Sequence, residues 1–315
     1  MKDSDEFSIL KKVFKNLGNQ YFDSSDLLIG PGDDAGLFKT KKELIFSTDT
    51  SVANVHFPKD LKPKLIAYRA CAVAASDIAA CGGKLKWLSI ALTANSKKKK
   101  WVEEFSKGIK EFSDDYKVPI IGGDLTLGKE ISVSIGACGE IDKKYFMRRN
   151  GGKEKDLIFV TGNLGEASIG LNLLKQKKQN LKSAEKICLK RFLKPEINFL
   201  FSQDLSRIAN SCIDISDGLM ADLNHICEQS NLKAEINLDN MPLIGNAIKA
   251  ITWGDDYQLC FTISSSKIKK LTEISKKHKV KITNIGKLTK GKGISVLSKG
   301  KKINIKKAGY NHFNG

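Results

Sequence analysis

The sequence predicts an α/β (α+β) protein of two domains, and three observations carry that expectation. Segments with the alternating apolar pattern of strands are interleaved with segments carrying the i, i+3, i+4 spacing of helices. That order occurs on both sides of a charged, glycine-containing stretch at 142–156, "DKKYFMRRNGGKEKD", which has no hydrophobic period. At 315 residues and 41% hydrophobic content the chain is long enough for two cores. The domains are therefore expected at 1–146 and 147–315.

Taken in order, residues 6–17 carry Phe7, Leu10, Phe14 and Leu17 at helical spacing, with Gly18 as a stop. "ELIFSTDTSV" and "KWLSIALTA" read as strands flanking a small-residue helix at 61–82, and a second helix fits 101–116. "VPIIGG" and "EISVSIGACGEI" return to strand. Beyond the connector, "DLIFVTGNLGEASIGLNLL" reads strand, glycine turn, helix, and "SCIDISDGLMADLNHICEQSN" repeats that order. "KAEINL", "QLCFTIS" and "KVKITNIGKL" supply further strands.

Composition narrows the function classes. The net charge is +18, from 53 Lys+Arg against 35 Asp+Glu, yet only five of the basic residues are Arg. The Lys clusters "SKKKKW", "KQKKQNLK" and "SKGKKINIKK" fall in apparent loops or at the C-terminal edge without interleaved aromatics, so they read as solvated surface and no nucleic-acid partner is expected. Arg69 and Asp77 interrupt the most apolar stretch, "LIAYRACAVAASDIAACGG", so no membrane span is expected. "MKDSDEF" is acidic and lacks the apolar core of a signal peptide, which points to the cytoplasm. The seven cysteines are scattered, form no C-x-x-C pair and read as reduced core residues.

Three nucleotide-site decoys fail on chemistry. "GPGDDA" at 30–35 fits G-x-G-x-x-A, but two carboxylates would repel a pyrophosphate there. "GDLTLGKE" and "GKLTKGKG" each lack the closing Ser or Thr of a P-loop. In "VTGNLGEAS", Glu166 would face any anion at the helix start, so a structural turn is expected.

The informative residues are acidic. Asp33, Asp34, Asp49, Asp77, Asp124, Asp214, Asp217, Asp255 and Asp256 recur beside Gly, Ser or Thr, most of them at the ends of apolar strands. In "CIDISDGLMADLNHI", strand alternation sets Asp214 and Ser216 on one face while Ile213 and Ile215 enter the core. Asp217 sits at the turn, where it is also a candidate cap for the helix that follows. Any one such Asp reads as a cap or turn residue, but so many together exceed the Arg available to pair them. All-oxygen ligation suits a hard cation, and Mg²⁺ in particular is shared between carboxylates and substrate phosphates. Phosphoryl transfer is the leading expectation.

The stretches "GDDAGL", "STDTSVANVHF", "SDIAACGG", "IIGGDLT", "DLIFVTGNLGEASIGL", "CIDISDGLMADLNHI", "GDDYQLCFT" and "GYNHF" resemble, in order, those of the thiamine-monophosphate kinase family, within the superfamily of aminoimidazole ribonucleotide synthetase. The resemblance spans residues 30 to 313. It implies ATP-dependent phosphorylation of thiamine monophosphate to thiamine diphosphate, by direct Mg²⁺-assisted transfer. It also implies an N-terminal ATP- and Mg²⁺-binding domain with a mixed or antiparallel sheet that forms a barrel in a homodimer. The C-terminal α/β sandwich would complete the nucleotide and substrate sites.

Carried over position by position, the metal ligands implied are Asp34, Ser47, Thr48, Asp49, Asp77, Asp124, Asp214 and Asp217. ATP would meet Gly123, Asp124, Arg149 and Ser216, and thiamine monophosphate would meet His56, Asp255 and Tyr310. Asp34, Asp214 and Arg149 would carry catalysis. The chain departs from the family pattern where Asp255 replaces a Glu, where Trp253 replaces a small residue, and where Ala75 replaces an Asn. The alternatives are another ATP-dependent superfamily member such as aminoimidazole ribonucleotide synthetase and, from a different class, a Lys-rich nucleic-acid-binding protein.

Overall fold

The structure, a computed structural model, describes residues 17–22, 26–29, 35–95, 99–305 and 309. Apart from Leu17, the helix expected at 6–17 lies outside the described residues, as do Asp33, Asp34 and Tyr310. The chain forms two compact units, Met1–Ile78 with Lys84–Lys143, and Ala79–Gly83 with Lys144–Gly315.

The first unit contains β1 (Leu27–Ile29), β2 (Leu37–Phe38), β3 (Glu43–Val52), β4 (Lys84–Ala94), β5 (Ile120–Leu127) and β6 (Ser132–Ile141). Its helices are α1 (Pro63–Ala80), whose last two residues belong to the second unit, and α2 (Lys99–Tyr116). The four-stranded sheet runs β3-β6-β4-β5 and is mixed, with only β4 and β5 parallel. A parallel pair needs a long crossover, and α2 supplies it. Its Val102, Phe105, Ile109 and Phe112 form the buried stripe that the spacing predicts. Pro63 opens α1, where the missing N–H costs no helical bond.

On β4 a register shift between Leu85 and Trp87 leaves Lys86 in a bulge. There its buried ammonium meets Asp26 at 2.7 Å and Glu140 at 3.7 Å. The small β1-β2 ribbon lays Phe38 on Trp87, with ring centroids 4.3 Å apart.

The second unit contains β7 (Leu157–Thr161), α3 (Glu166–Lys175), α4 (Ser183–Leu193), α5 (Phe199–Leu205), β8 (Ser211–Asp214) and α6 (Leu219–Ser230). It continues with β9 (Lys233–Asn237), α7 (Ala247–Thr252), β10 (Leu259–Ile263), α8 (Ile268–His278), β11 (Ile282–Thr289), β12 (Gly293–Ser298) and β13 (Lys301–Ile303). Its seven-stranded sheet has the order β13-β12-β9-β11-β7-β10-β8. The sheet is covered on both faces. Ile158, Val160, Ile213 and Ile215 pack with Leu219, Leu223 and Ile226 of α6 on one face. Phe159, Cys212 and Phe261 pack with α5 and α8 on the other. This burial on both sides explains why β7, β8 and β10 read as almost continuous apolar runs.

The expected strands and the helices at 61–82 and 101–116 therefore form, with bounds shifted by a few residues, and the second unit is the expected α/β sandwich. The 142–156 connector holds two short 3₁₀ turns, Lys143–Tyr145 and Arg149–Gly151. All seven cysteines are free, and no described helix is long and apolar enough to cross a membrane.

Close helix packing in the first unit depends on Gly108, where an added Cβ would lie 2.0 Å from the Lys64 carbonyl oxygen. Gly108→Ala gains helix propensity, about 1 kcal/mol, but meets immovable backbone. A net loss of about 1–3 kcal/mol is expected in urea denaturation. An unchanged midpoint would show that the two helices separate without cost.

Candidate active site

In the first unit, β3 alternates. Ile45, Ser47 and Asp49 are half-buried, while Phe46, Thr48 and Thr50 are exposed on the opposite face. The Ser47 hydroxyl donates to the Asp77 carboxylate, tying β3 to α1. Asp49 lies close enough to Asp77 for their charges to matter. Burial first, then the Asp77 carboxylate, push the Asp49 carboxyl up to about 6.

Asp124 is placed differently. On β5 it stands opposite Ala91, which stands opposite Ser134, which stands opposite Thr50. It therefore shares the sheet face of Thr48 and Thr50 rather than that of Asp49. There the Thr126 hydroxyl donates to it at 3.0 Å, and Thr50 and Ser134 hydroxyls meet at 2.8 Å. Beside Asp124, Gly123 leaves no room for a side chain, since a Cβ would fall 2.0 Å from the Ile90 carbonyl oxygen. His56 lies in the turn after β3, where its Nδ1 accepts the Val52 N–H at 3.0 Å. In the neutral ring the proton is then on Nε2.

In the second unit, β8 ends at Asp214, which is 4% exposed. Ile213 and Ile215 enter the core as alternation requires, and the chain turns through half-buried Ser216 and Asp217 into α6. Asp217 does not cap that helix. The cap position is Gly218, at φ +116°, and the stabilising carboxylate comes from inside the first turn. Asp222 accepts the N–H groups of Asp217 and Gly218 at 3.1 and 3.0 Å. Burial, then the nearby Asp214 and Asp217, push its carboxyl up to about 8 in spite of those two bonds.

The segment before β10 is laced to this corner. Asp255 N–H donates to the Ser216 carbonyl at 2.8 Å, Tyr257 N–H to that of Ile215 at 2.9 Å, and Ile215 N–H to that of Gln258 at 2.7 Å. Asp214, Ser216, Asp217 and Asp255 thus belong to one corner of the fold. Gly309, which precedes Tyr310, also reaches it, because a Cβ there would lie 3.1 Å from the Asp217 carbonyl oxygen. Arg149 is held elsewhere. Its carbonyl accepts from the Ser230 hydroxyl at 3.1 Å, at the C-terminal end of α6, whereas the acidic corner is at the N-terminal end. A helix of that length separates its ends by roughly 18 Å.

Two carboxylates without a role in the sequence reading prove structural to the site. Asp222 carries the signal of an acidic residue in the first turn of a helix. Asp256 accepts the Gly165 N–H with both oxygens, at 3.1 and 2.9 Å, and the Ala167 N–H at 3.4 Å. It thereby occupies the start of α3, as the turn reading of "VTGNLGEAS" requires, while Glu166 accepts from the Asn163 amide at 2.8 Å. Burial pushes the Asp256 carboxyl up to about 8.

Residues 32–141 match the AIR synthase related protein N-terminal domain, and residues 153–299 match the C-terminal domain. Along 98% of both chains the sequence is 42% identical to the thiamine-monophosphate kinase of Buchnera aphidicola subsp. Schizaphis graminum (strain Sg). The chain belongs to the thiamine-monophosphate kinase family. The thiamine-monophosphate kinase of Stenotrophomonas maltophilia K279a has a similar crystal structure, with TM-score 0.82 and 31% identity over 91% of this chain and 96% of that one. AaThiL complexed with AMPPCP and TMP is also similar, with TM-score 0.76 and 29% identity over 99% of this chain and 98% of that one. The two-unit α/β fold is thus that of thiamine-monophosphate kinases.

Carboxylates whose folded pKa is raised favour the folded state only while protonated. Stability contributed below their unfolded values, near 4, is lost as pH rises through about 6 for Asp49 and about 8 for Asp222 and Asp256. In EDTA, the melting temperature is expected to fall between pH 5 and pH 8.5. Asp222→Asn, whose amide oxygen can still accept both N–H groups, should flatten that fall. A variant with the wild-type slope would show that Asp222 does not titrate in this window.

Proposed function

We infer that this chain is an ATP-dependent kinase that phosphorylates thiamine monophosphate to thiamine diphosphate. The observation that carries the reading is the end-to-end likeness to a thiamine-monophosphate kinase. The AMPPCP and TMP bound to AaThiL support a nucleotide triphosphate as donor and the monophosphate as acceptor.

The carboxylate groups fit Mg²⁺. Asp49 lies near Asp77, and Asp222 near Asp214 and Asp217, with burial first and then these like charges raising the pKa of Asp49 and of Asp222. Among the described residues no ion pair involves Asp49, Asp77 or Asp217. No three acidic, His or Cys side chains there gather closely enough to hold an ion alone. A hard cation would need further oxygens, and phosphates are its usual second source. Ser47, Asp49 and Asp77 in the first unit, with Asp214 and Asp217 in the second, are the ligands favoured here. Asp34, Thr48 and Asp124 are proposed as further metal ligands, Thr48 and Asp124 on the sheet face opposite Asp49. When bound, Mg²⁺ would neutralise phosphate charge and stabilise that of the transition state.

The acceptor makes modest demands on the protein. A phosphate monoester has its second pKa near about 6, so it is largely ionised at neutral pH and needs no strong base. The chain's contribution is to orient and neutralise. Ser216 and Gly123 would meet ATP, Arg149 would offer a guanidinium fork to a part of ATP away from the acidic corner, and His56, Asp255 and Tyr310 would bind the acceptor. Transfer is direct, without a phosphoenzyme.

A second copy is favoured by the first unit's surface, where β1 to β3 expose Leu28 (61%), Leu37 (51%), Leu44 (41%) and Phe46 (67%). Large exposed apolar side chains of this kind are available to a partner surface. A cytoplasmic setting suits ATP as donor and a chain whose cysteines are all free.

ADP release should require both thiamine monophosphate and Mg²⁺, and thiamine or aminoimidazole precursors should not replace the acceptor. Asp49→Asn and Asp214→Asn should each lower kcat by at least about 100-fold with the fold intact by circular dichroism. A chiral γ-phosphate should emerge inverted. Turnover of an aminoimidazole ribonucleotide precursor instead would assign the chain to a different superfamily reaction.

A further inference from the structure

Burial alternates along the segment joining α7 to β10. Trp253, Asp255 and Tyr257 are exposed or half-buried, and Gly254, Asp256 and Gln258 are buried. The inward set is anchored at every position. Asp256 holds the start of α3 through Gly165 and Ala167. Gln258 accepts from the Thr161 hydroxyl at 2.8 Å, and Gly254 presses on Ser216, whose carbonyl oxygen would lie 1.8 Å from an added Cβ.

The outward set is consequently held beside the Ser216–Asp217 corner. Asp255 and Tyr257 have φ of +73° and +48°, values that non-glycine residues rarely adopt. Such strain persists only where the surroundings over-determine it, and it concentrates at functional sites. The Tyr257 hydroxyl donates to Asp255 at 3.2 Å and so orients that carboxylate. Trp253 is 40% exposed, and its carbonyl oxygen would lie 3.1 Å from a Cβ on Gly218. Its indole has no ring partner among the described residues, unlike Trp87 and Trp101, which stack on Phe38 and Phe105. Aromatic side chains near a carboxylate attract a flat cation by their π-faces and the carboxylate's charge together, and this segment offers the exposed Trp253 close in the chain to the Asp255–Tyr257 pair.

We propose that Trp253 and Tyr257 flank Asp255 as the receptor for the cationic aromatic ring of the acceptor, and that Trp253 sets the preference for a charged ring over a neutral one. This rests on the reading of the acceptor as thiamine monophosphate, whose thiazolium is a permanent aromatic cation. Trp253 acts on binding, and the phosphoryl step is left to the acidic corner.

The test compares thiamine monophosphate with an isostere in which carbon replaces the quaternary nitrogen, using the full chain with ATP and Mg²⁺. Trp253→Leu should raise the KM and Kd for thiamine monophosphate about 3- to 30-fold, the range of a cation–π contact. The KM for ATP and kcat should not change, Trp253→Phe should restore most of the affinity, and the neutral isostere should bind both forms equally. Acceptor affinity unchanged in Trp253→Leu, or an equal loss for the charged and neutral rings, would overturn the proposal while wild-type turnover stands. A wild type that does not phosphorylate thiamine monophosphate would overturn the functional reading first, and this inference with it.

Discussion

Placing carboxylates close together in partly dry surroundings is the constraint on which the rest of this structure depends. Each unit does it with a strand that delivers an Asp beside a helix that carries another. In the first unit the partners are Asp49 on β3 and Asp77 on α1, with Ser47 joining the two elements. In the second they are Asp214 at the end of β8 and Asp222 in α6, with Asp217 in the turn between. Burial, and then the neighbouring carboxylates, raise the pKa of Asp49 and of Asp222, and the surrounding core supplies the rigidity that keeps the groups from separating.

That rigidity comes from ordinary packing. Ile213 and Ile215 are buried in the same cluster as Leu219, Leu223 and Ile226, so the strand and helix that bracket the acidic turn cannot move independently. Backbone hydrogen bonds then fasten the 253–258 segment to the turn, and Asp256 fastens the same segment to α3. A single buried carboxylate therefore links the helix start that follows β7 with the loop bearing Asp255. The glycine turn at 162–165, which by motif could receive an anion, receives the Asp256 carboxyl group from within the chain.

The chemistry follows from this division between anchored and presented groups. Residues that point inward, Asp222 and Asp256 among them, hold backbone N–H groups and position their neighbours. Asp217 and Asp255 are half-buried and Trp253 is exposed, beside the same turn. Charge neutralisation and orientation are what phosphoryl transfer to an already ionised phosphate demands, and carboxylates would serve the first only through the Mg²⁺ proposed above.

Much of this was legible in the chain alone, because period and spacing are local properties. The alternation in "ELIFSTDTSV", the stripe of Val102, Phe105, Ile109 and Phe112, and the strand–turn–helix order of "CIDISDGLMADLNHI" each announce their element from neighbouring residues only. The short or Lys-rich elements α4, α5, α7, α8, β12 and β13 were not read, since their apolar faces are narrow and acquire meaning only against the sheet they cover or extend. The acidic residues were recognisable as a set, yet their partners were not. That Asp124 faces away from Asp49 depends on strand register across four strands. That Asp222 rather than Asp217 holds the turn at the start of α6, and that Asp256 caps α3, depends on which carboxylates are buried beside which N–H groups. Sequence by itself determined which side chains carry charge and which faces are apolar. Tertiary structure decided which charges meet, because the energy of a charge depends on burial and on neighbours far away along the chain.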